Sequence, residues 1–302
     1  MTRRPVLIAG PTASGKSELA LALAARDGGV VINADASQVY SCWRILTARP
    51  DDSELAKAPH ALYGHVDCAR RYSTGDWLRD VAAVLDDAAQ RGLRPIVVGG
   101  TGLYFAALTE GLSAIPPIPT KVRARSEALI AEGRVGELLA DLGRDDPETH
   151  ARIDRDNPRR VQRAWDVLIA TGRGLADWHR ATPPPLIGPE QAVRVAVWPA
   201  IPFLNCRIEA RFRIMVEAGA LDECHRFLAA GIDPALPSAK VLGAEPLSAH
   251  LRGDLSLDAT ITTSVTATRR FAKRQRTWMR NRMADWPRVA PGPDAAAAVP
   301  EA

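Results

Sequence analysis

The chain alternates between short, continuous apolar runs and longer stretches in which apolar residues recur at every third or fourth position. Pro5–Ala9, Val30–Asn33 and Pro95–Val98 are of the first kind. Too short for helices and apolar on both faces, they read as strands buried in a parallel sheet. Ala192–Trp198 alternates with period two and predicts a further strand. Between the first two runs, Glu18–Arg26 is built of strong helix formers and stops at Gly28-Gly29. Strand, helix and strand joined by short connections predict a right-handed βαβ unit. Asp76–Arg91 sets Trp77, Leu78, Val81, Val84, Leu85 and Ala88 at helical spacing ahead of Gly92. Further helices are expected from Leu103-Tyr104 and over Leu204–Ala218, Leu221–Ala230 and Ser264–Arg282.

Two proline clusters divide this pattern. No helix continues through Pro116-Pro117-Ile118-Pro119 or through Pro183-Pro184-Pro185. The residues between them are helical in character, rich in arginine and without a strand signal. The prediction is an α/β core, residues 1–115 and 190–290, in which helices flank a parallel sheet, interrupted by an all-helical insertion, residues 116–189. Residues 291–302 are small, polar and proline-containing, and are expected to form a flexible tail.

Chemistry enters where the predicted strands end. Gly10-Pro11-Thr12-Ala13-Ser14-Gly15-Lys16-Ser17 fits G-x-x-x-x-G-K-[ST] and lies between a strand and a helix, the context a phosphate-binding loop requires. The sheet is therefore expected to be P-loop NTPase-like. Backbone N–H groups of such a loop converge on anionic oxygens, and the following helix presents its positive end. Lys16 would reach the terminal phosphates, and the Ser17 hydroxyl is the candidate magnesium ligand. After the second strand, Asp35-Ala36-Ser37-Gln38 has two readings, a helix cap or a carboxylate acting as general base or ordering magnesium through water. After the third, Gly99-Gly100-Thr101-Gly102 lets backbone approach a ligand and offers the Thr101 hydroxyl, or is simply a capped turn. In an open α/β sheet this edge is where ligands bind.

Composition adds little until charge is mapped. The 302 residues are 46% hydrophobic and 25% charged, ordinary values for a globular chain, and the net charge is only +4. Its distribution is uneven. Arg269, Lys273, Arg276 and Arg280 fall on one helical stripe, widened by Arg270, Arg274 and Arg282, with Phe271 and Trp278 as expected core anchors. Arg152, Arg155, Arg159, Arg160 and Arg163 cluster in the insertion, and Arg207, Arg211 and Arg213 open a helix after the returning strand. Arg211 is placed to clamp a diphosphate. Such density points to a polyanion larger than a nucleotide. Cys42, Cys68, Cys206 and Cys224 lack metal-ligand or redox spacing and are expected to be reduced structural thiols of a cytoplasmic protein. No run approaches the roughly 18 apolar residues of a membrane span, and the two arginines at the start precede a run too short for a signal peptide.

Taken in order, GPTASGKS, DASQVY, GGTGLY, RIEARF and RRFAKRQ followed by Trp278 resemble the tRNA dimethylallyltransferases, with further likeness at Thr47-Ala48-Arg49-Pro50 and Ala58-Pro59-His60. The sequence departs from the family pattern at Ala36, at Leu46 and at Gly243-Ala244-Glu245-Pro246. With no cysteine after Cys224, no zinc-finger extension is expected, as in the bacterial type. The resemblance implies transfer of a dimethylallyl group from dimethylallyl diphosphate to the exocyclic amine of the adenine 3′ of the anticodon, position 37 of tRNA. The alternatives are an adenylate isopentenyltransferase, a small-molecule P-loop kinase and a non-catalytic RNA-binding ATPase. By the same resemblance, residues Gly10 to Ser17 and Arg211 hold diphosphate with Mg2+ at Ser17, and Asp35 and Thr101 are catalytic. Asp35, Ala36, Ser37, Gln38, Thr101, Arg123, Arg159, Arg160, Val161, Gln162 and Arg163 contact the tRNA anticodon stem-loop. The implied protein is a cytoplasmic monomer with no membrane partner.

Overall fold

A computed structural model describes residues 3–301; Met1, Thr2 and Ala302, which belong to the expected core and tail segments, lie outside the described residues. Six parallel strands form one sheet: β1 (Val6–Ala9), β2 (Gly29–Asn33), β3 (His60–Ala61), β4 (Arg94–Gly99), β5 (Val193–Val197) and β6 (Arg288–Val289), in the order β3-β2-β4-β1-β5-β6. The four longer strands are those that the three apolar runs and the alternating stretch predict. The two-residue edges were missed because a strand that short has no period to detect.

The helices of this part of the chain are α1 (Lys16–Asp27), α2 (Asp52–Leu55), α3 (Thr74–Gln90) and α4 (Gly102–Glu110). Between β4 and β5 follow α5 (Thr120–Ala131), α6 (Val135–Asp145), α7 (Pro147–Arg152), α8 (Pro158–Thr171) and α9 (Leu175–Arg180). After β5 come α10 (Ile201–Glu217), α11 (Ala220–Ala229), α12 (Ala244–Leu251) and α13 (Leu257–Arg282). The chain divides into two compact units, 1–109 with 186–302, and 110–185.

In the first unit both sheet faces are buried, which is why β1, β2 and β4 read as continuous apolar runs, while β5, half-buried at its start, alternates. Val6, Ile8, Val31 and Ile96 meet Leu19 and Leu23 of α1 on one face. Leu7, Val30, Ile32 and Val97 meet Trp77 and Val81 of α3, Phe105 of α4 and Met279 of α13 on the other. Ser73 accepts from the Asp76 N–H and Asp76 from the Ser73 N–H, a reciprocal cap that fixes where α3 begins. Helix α13 starts earlier than its apolar pattern predicts, because Ser256 caps it by accepting from the Ala259 N–H. Its buried seam is Val265, Ala272, Gln275 and Met279, and the expected anchors Phe271 and Trp278 are only half-buried.

Two expectations fail. The stretch from Pro291 is docked on α1: Ala295 and Val299 are buried, and Arg26 donates to the carbonyls of Ala296 at 2.9 Å and Val299 at 3.1 Å. Arg94, a fully buried cation at the start of β4, donates to Asp27 at 2.5 Å and to the Pro300 carbonyl at 3.1 Å. Small residues fit that groove, and so a composition typical of a loose tail forms a packed one. Second, Cys42 and Cys68 are disulfide-bonded, with Cα atoms 6.1 Å apart. Tyr40 pairs with Val66 in a parallel bridge, and two residues further along each segment the cysteines face one another. Sequence spacing carries no trace of that register. Cys206 is exposed and Cys224 buried, both free.

The second unit has its own core of Leu138, Leu142, Val161, Ala164 and Trp165. Asn157 caps α8 by accepting from the Arg159 and Arg160 N–H groups, and Pro158 sits at its first turn.

Candidate active site

Because β4 lies between β2 and β1, the three loops read from sequence leave adjacent strands at the same sheet edge. The register puts Ala9 opposite Gly99 and Asn33 opposite Val98. Gly10 donates its N–H to the Gly99 carbonyl at 3.2 Å, and the Thr101 N–H donates to the Ala34 carbonyl at 3.1 Å. A Cβ at Gly99 would lie 2.0 Å from the Ala34 carbonyl oxygen, and so glycine is required for the loops to come this close.

In the phosphate loop, Gly10, Pro11, Ala13 and Ser14 are buried and Thr12, Gly15 and Lys16 half-buried. Gly15 has φ +90°, which turns the loop into α1. The Ser14 hydroxyl is buried with no protein partner among the described residues. Such an orphan fits a loop shaped around an anion. Lys16 donates to the Pro11 carbonyl at 3.3 Å, and Arg211 of α10 donates to the Thr12 hydroxyl at 2.5 Å. Crowding by protein lowers the Lys16 pKa to about 8; Asp35 offsets this in part, and Arg211 adds to it. Burial likewise lowers Arg211 to about 10, against Asp35 and with Arg207. Two cations held below their ordinary range beside the N-terminus of α1 form a site suited to an anion. Ser17 is exposed in the first turn of α1.

Asp35 and Thr101 are brought together. The Asp35 Oδ1 accepts from the Ser37 N–H at 3.0 Å and the Ser37 hydroxyl at 2.6 Å. Thr101 Oγ1 accepts from the Ala36 N–H at 2.9 Å, which leaves its own proton to donate. No helix follows Asp35, so the helix-cap reading fails: residues 36–39 form a turn, and both Ser37 bonds fall on Oδ1 and leave Oδ2 open. Behind it, Asn33 accepts from the Asp35 N–H at 2.8 Å and donates to the Asp35 and Leu62 carbonyls, both at 3.0 Å. Tyr104 stacks on Trp77 with ring centroids 4.3 Å apart, and Trp77 donates to the Asn33 carbonyl at 2.8 Å. Gln38 is spent inside the protein, donating to the Thr47 and Ala48 carbonyls at 2.8 Å. It shapes the loop rather than facing outward.

Asn33 and Gln275 had no role assigned from sequence, although Gln275 closes the RRFAKRQ motif. Gln275, buried on α13, accepts from the Thr12 N–H at 2.9 Å and donates to the Gly100 carbonyl at 3.0 Å. One signal was present: it is an uncharged residue inside a run of cations. The cationic stripe itself is partly structural. Arg269 pairs with Glu209 at 2.9 Å, and Arg276 donates to the Pro199 carbonyl at 2.7 Å over the Trp198 ring.

The remaining predicted residues belong to the second unit. Val161 is fully buried in the core of that unit. Gln162 is 6% exposed, donates to Ser126 at 2.9 Å and accepts from Arg159 at 2.9 Å. Neither presents a side chain to a partner; helical periodicity turns these two inward while Arg159, Arg160 and Arg163 stay exposed. These three arginines line a cavity of about 420 Å³ with Arg152, His179 and Leu175, entirely within the second unit. Asp166, missed from sequence, is buried with one carboxylate oxygen unpartnered among the described residues, and burial raises its pKa.

Fold and site define a P-loop protein whose anion loop faces a carboxylate and a hydroxyl on the neighbouring loops. A family model described as IPP transferase matches residues 38–282, and one described as isopentenyl transferase matches residues 4–63. A tRNA dimethylallyltransferase of Cereibacter sphaeroides is 56% identical over 283 residues, 94% of this chain and 88% of that protein. The full-length tRNA isopentenylpyrophosphate transferase of Bacillus halodurans shares 31% identity and a TM-score of 0.66, over 95% of this chain and 90% of that one. A eukaryotic dimethylallyltransferase acting on tRNA has the same fold at 24% identity, with a TM-score of 0.83 over 98% of this chain and 77% of that one. The chain belongs to the IPP transferase family, that of the tRNA dimethylallyltransferases. No helix among the described residues is long and apolar enough to cross a membrane.

Proposed function

We propose that this protein transfers a dimethylallyl group from dimethylallyl diphosphate to the exocyclic amine of the adenine 3′ of the anticodon in tRNA, releasing diphosphate. The observation that carries the reading is the pair of cations Lys16 and Arg211, both depressed by burial, beside a phosphate loop with an orphan Ser14 hydroxyl. A departing diphosphate supplies the charge they lack. As the allylic carbon–oxygen bond breaks, negative charge collects on the oxygen that Lys16 and Arg211 face. The adenine amine attacks the allylic carbon and becomes cationic. Asp35 takes the proton on Oδ2, the oxygen that the Ser37 bonds leave for it, and Thr101 donates its free proton to the base and holds it. The adenine must leave its stack to reach this edge.

A magnesium ion fits the donor set: Ser17 presents an exposed hydroxyl beside the loop, and no cluster of three His, Cys, Asp or Glu among the described residues offers a separate cage. When bound, Mg2+ would supply Lewis-acid stabilisation of the diphosphate, with Ser17 and the substrate's own oxygens as ligands. Arg123, Arg159, Arg160 and Arg163 would hold phosphates of the anticodon stem-loop. Action in the cytoplasm, where tRNA is found, fits this chemistry, and there the Cys42–Cys68 pair would be exposed to reduction.

The test is purified protein with unmodified tRNA, labelled dimethylallyl diphosphate and magnesium. Label in tRNA is the expected result. Label in free AMP instead would establish the adenylate isopentenyltransferase. RNA-stimulated ATP hydrolysis without allyl transfer would establish an RNA-binding ATPase, and phosphorylation of a small metabolite a kinase.

A further inference from the structure

Helix α13 reaches between the two loops on which the reaction depends. The Gln275 side chain is 6% exposed, and each end of its amide is engaged with backbone. Oε1 accepts from the Thr12 N–H of the phosphate loop at 2.9 Å, and Nε2 donates to the Gly100 carbonyl, next to Thr101, at 3.0 Å. A donor on one side and an acceptor on the other fix the amide orientation without ambiguity. The approach is close: a Cβ at Gly100 would lie 2.3 Å from Nε2. Thr12 is held at a second point, since its hydroxyl accepts from Arg211 of α10. The Thr12 N–H is therefore withdrawn from the cradle that faces the anion, and the phosphate loop is anchored to two helices instead.

We propose that Gln275 is a positioning residue that sets the spacing between the leaving-group loop and the loop that holds the base. Its amide acts as a spacer of fixed length, touching neither substrate and holding β1 and β4 loops in the one register that aligns amine, allylic carbon and departing oxygen. This rests on the prenyl-transfer reading. Spacing governs the aligned state far more than binding of either substrate, and so its loss falls on kcat.

Three variants test it, each assayed by single-turnover and steady-state transfer to tRNA, with calorimetric binding of inorganic diphosphate as a check that the phosphate loop is intact. Gln275→Leu keeps volume and loses both bonds. The expected result is a fall in kcat on the order of 10-fold to 100-fold with KM for dimethylallyl diphosphate moved less than about 3-fold. Gln275→Glu keeps the acceptor for Thr12 but sets a carboxylate against the Gly100 carbonyl. Protonated, that side chain donates again, so its activity relative to the native enzyme is expected to rise as pH falls from 8 to 6, while Gln275→Leu shows no such recovery. Gly100→Ala displaces Nε2 from the other side and is expected to give the same kcat loss, with the Gly100→Ala/Gln275→Leu double variant no worse than the more impaired single one. Near-native kcat in Gln275→Leu, a flat pH ratio in Gln275→Glu, or fully additive losses would each overturn the proposal. Should Gln275→Leu not fold, the pH ratio of Gln275→Glu and the Gly100→Ala loss decide it. A native enzyme that moves no label to tRNA would defeat the functional reading itself, a result distinct from native transfer with unimpaired variants.

Discussion

The sheet edge of the first unit and the arginine-bearing helices of the second carry equally legible motifs, yet they translate into structure differently. At the edge, each motif is a loop whose backbone does the work, and parallel topology brings the loops together once β4 sits between β2 and β1. On α8, the motif is a string of side chains on a helix, and only those on one face meet solvent. Val161 and Gln162 fall on the other. A contiguous motif thus shows which loops meet at an edge, although a member such as Gln38 turns inward, and on a helix periodicity must be applied residue by residue.

Substitutions sharpen the contrast. At the edge, Asp35→Ala should lower single-turnover transfer about 10²–10⁴-fold, the range of a lost general base, with the unfolding midpoint nearly unchanged. A loss under 10-fold would leave Asp35 with only its turn-forming bonds to Ser37. On α8 the effects should be smaller and should split by face. Arg163→Ala is expected to weaken tRNA binding several-fold and reduce the slope of log K against log salt by about 1. Val161→Ala is expected to cost about 2 kcal/mol of stability by opening a cavity and to leave that slope alone. Equal effects of the two on RNA affinity would erase the distinction between faces.

The finest test is protonic. Lys16 is lowered to about 8 by burial from its ordinary 10.5, and the unfolded chain binds more protons than the folded one between those values. Stability of the free protein should therefore rise as pH climbs through that window. A bound diphosphate restores the charged form, and so affinity falls above about pH 8. Titration calorimetry at pH 8 in buffers of different ionisation enthalpy should show uptake of about half a proton per dimethylallyl diphosphate, and none attributable to this group in Lys16→Met. Zero difference between the two proteins would place the lysine away from the ligand.

How far the sequence could be read follows the same division. Strands buried on both faces announce themselves as apolar runs, and the phosphate loop announces itself by its glycines and lysine. The Cys42–Cys68 pairing, the docking of Ala295 and Val299 and the span of Gln275 all depend on register between distant segments. None of these has a local signature. Phe271 and Trp278 show the reverse error, in which large apolar residues attract an assignment to the core that smaller ones, Ala272 and Met279, fulfil.

The position of β1 also sets a timetable. Its two neighbours are β4, ending at Gly99, and β5, beginning at Val193, an interval of 193 − 99 = 94 residues. On a translating ribosome, at roughly 5–20 residues per second, that edge of the nascent sheet stays open for roughly 5–20 s. The residues made in the meantime are those of α4, which packs on the sheet, and of α5 to α9, which close around a core of their own. Only later do β6 and the carbonyls of Ala296 to Pro300 arrive to cover the sheet edge beyond β5 and latch Arg26 and Arg94. The helix that begins at Lys16, among the first to be synthesised, is thus among the last to be finished.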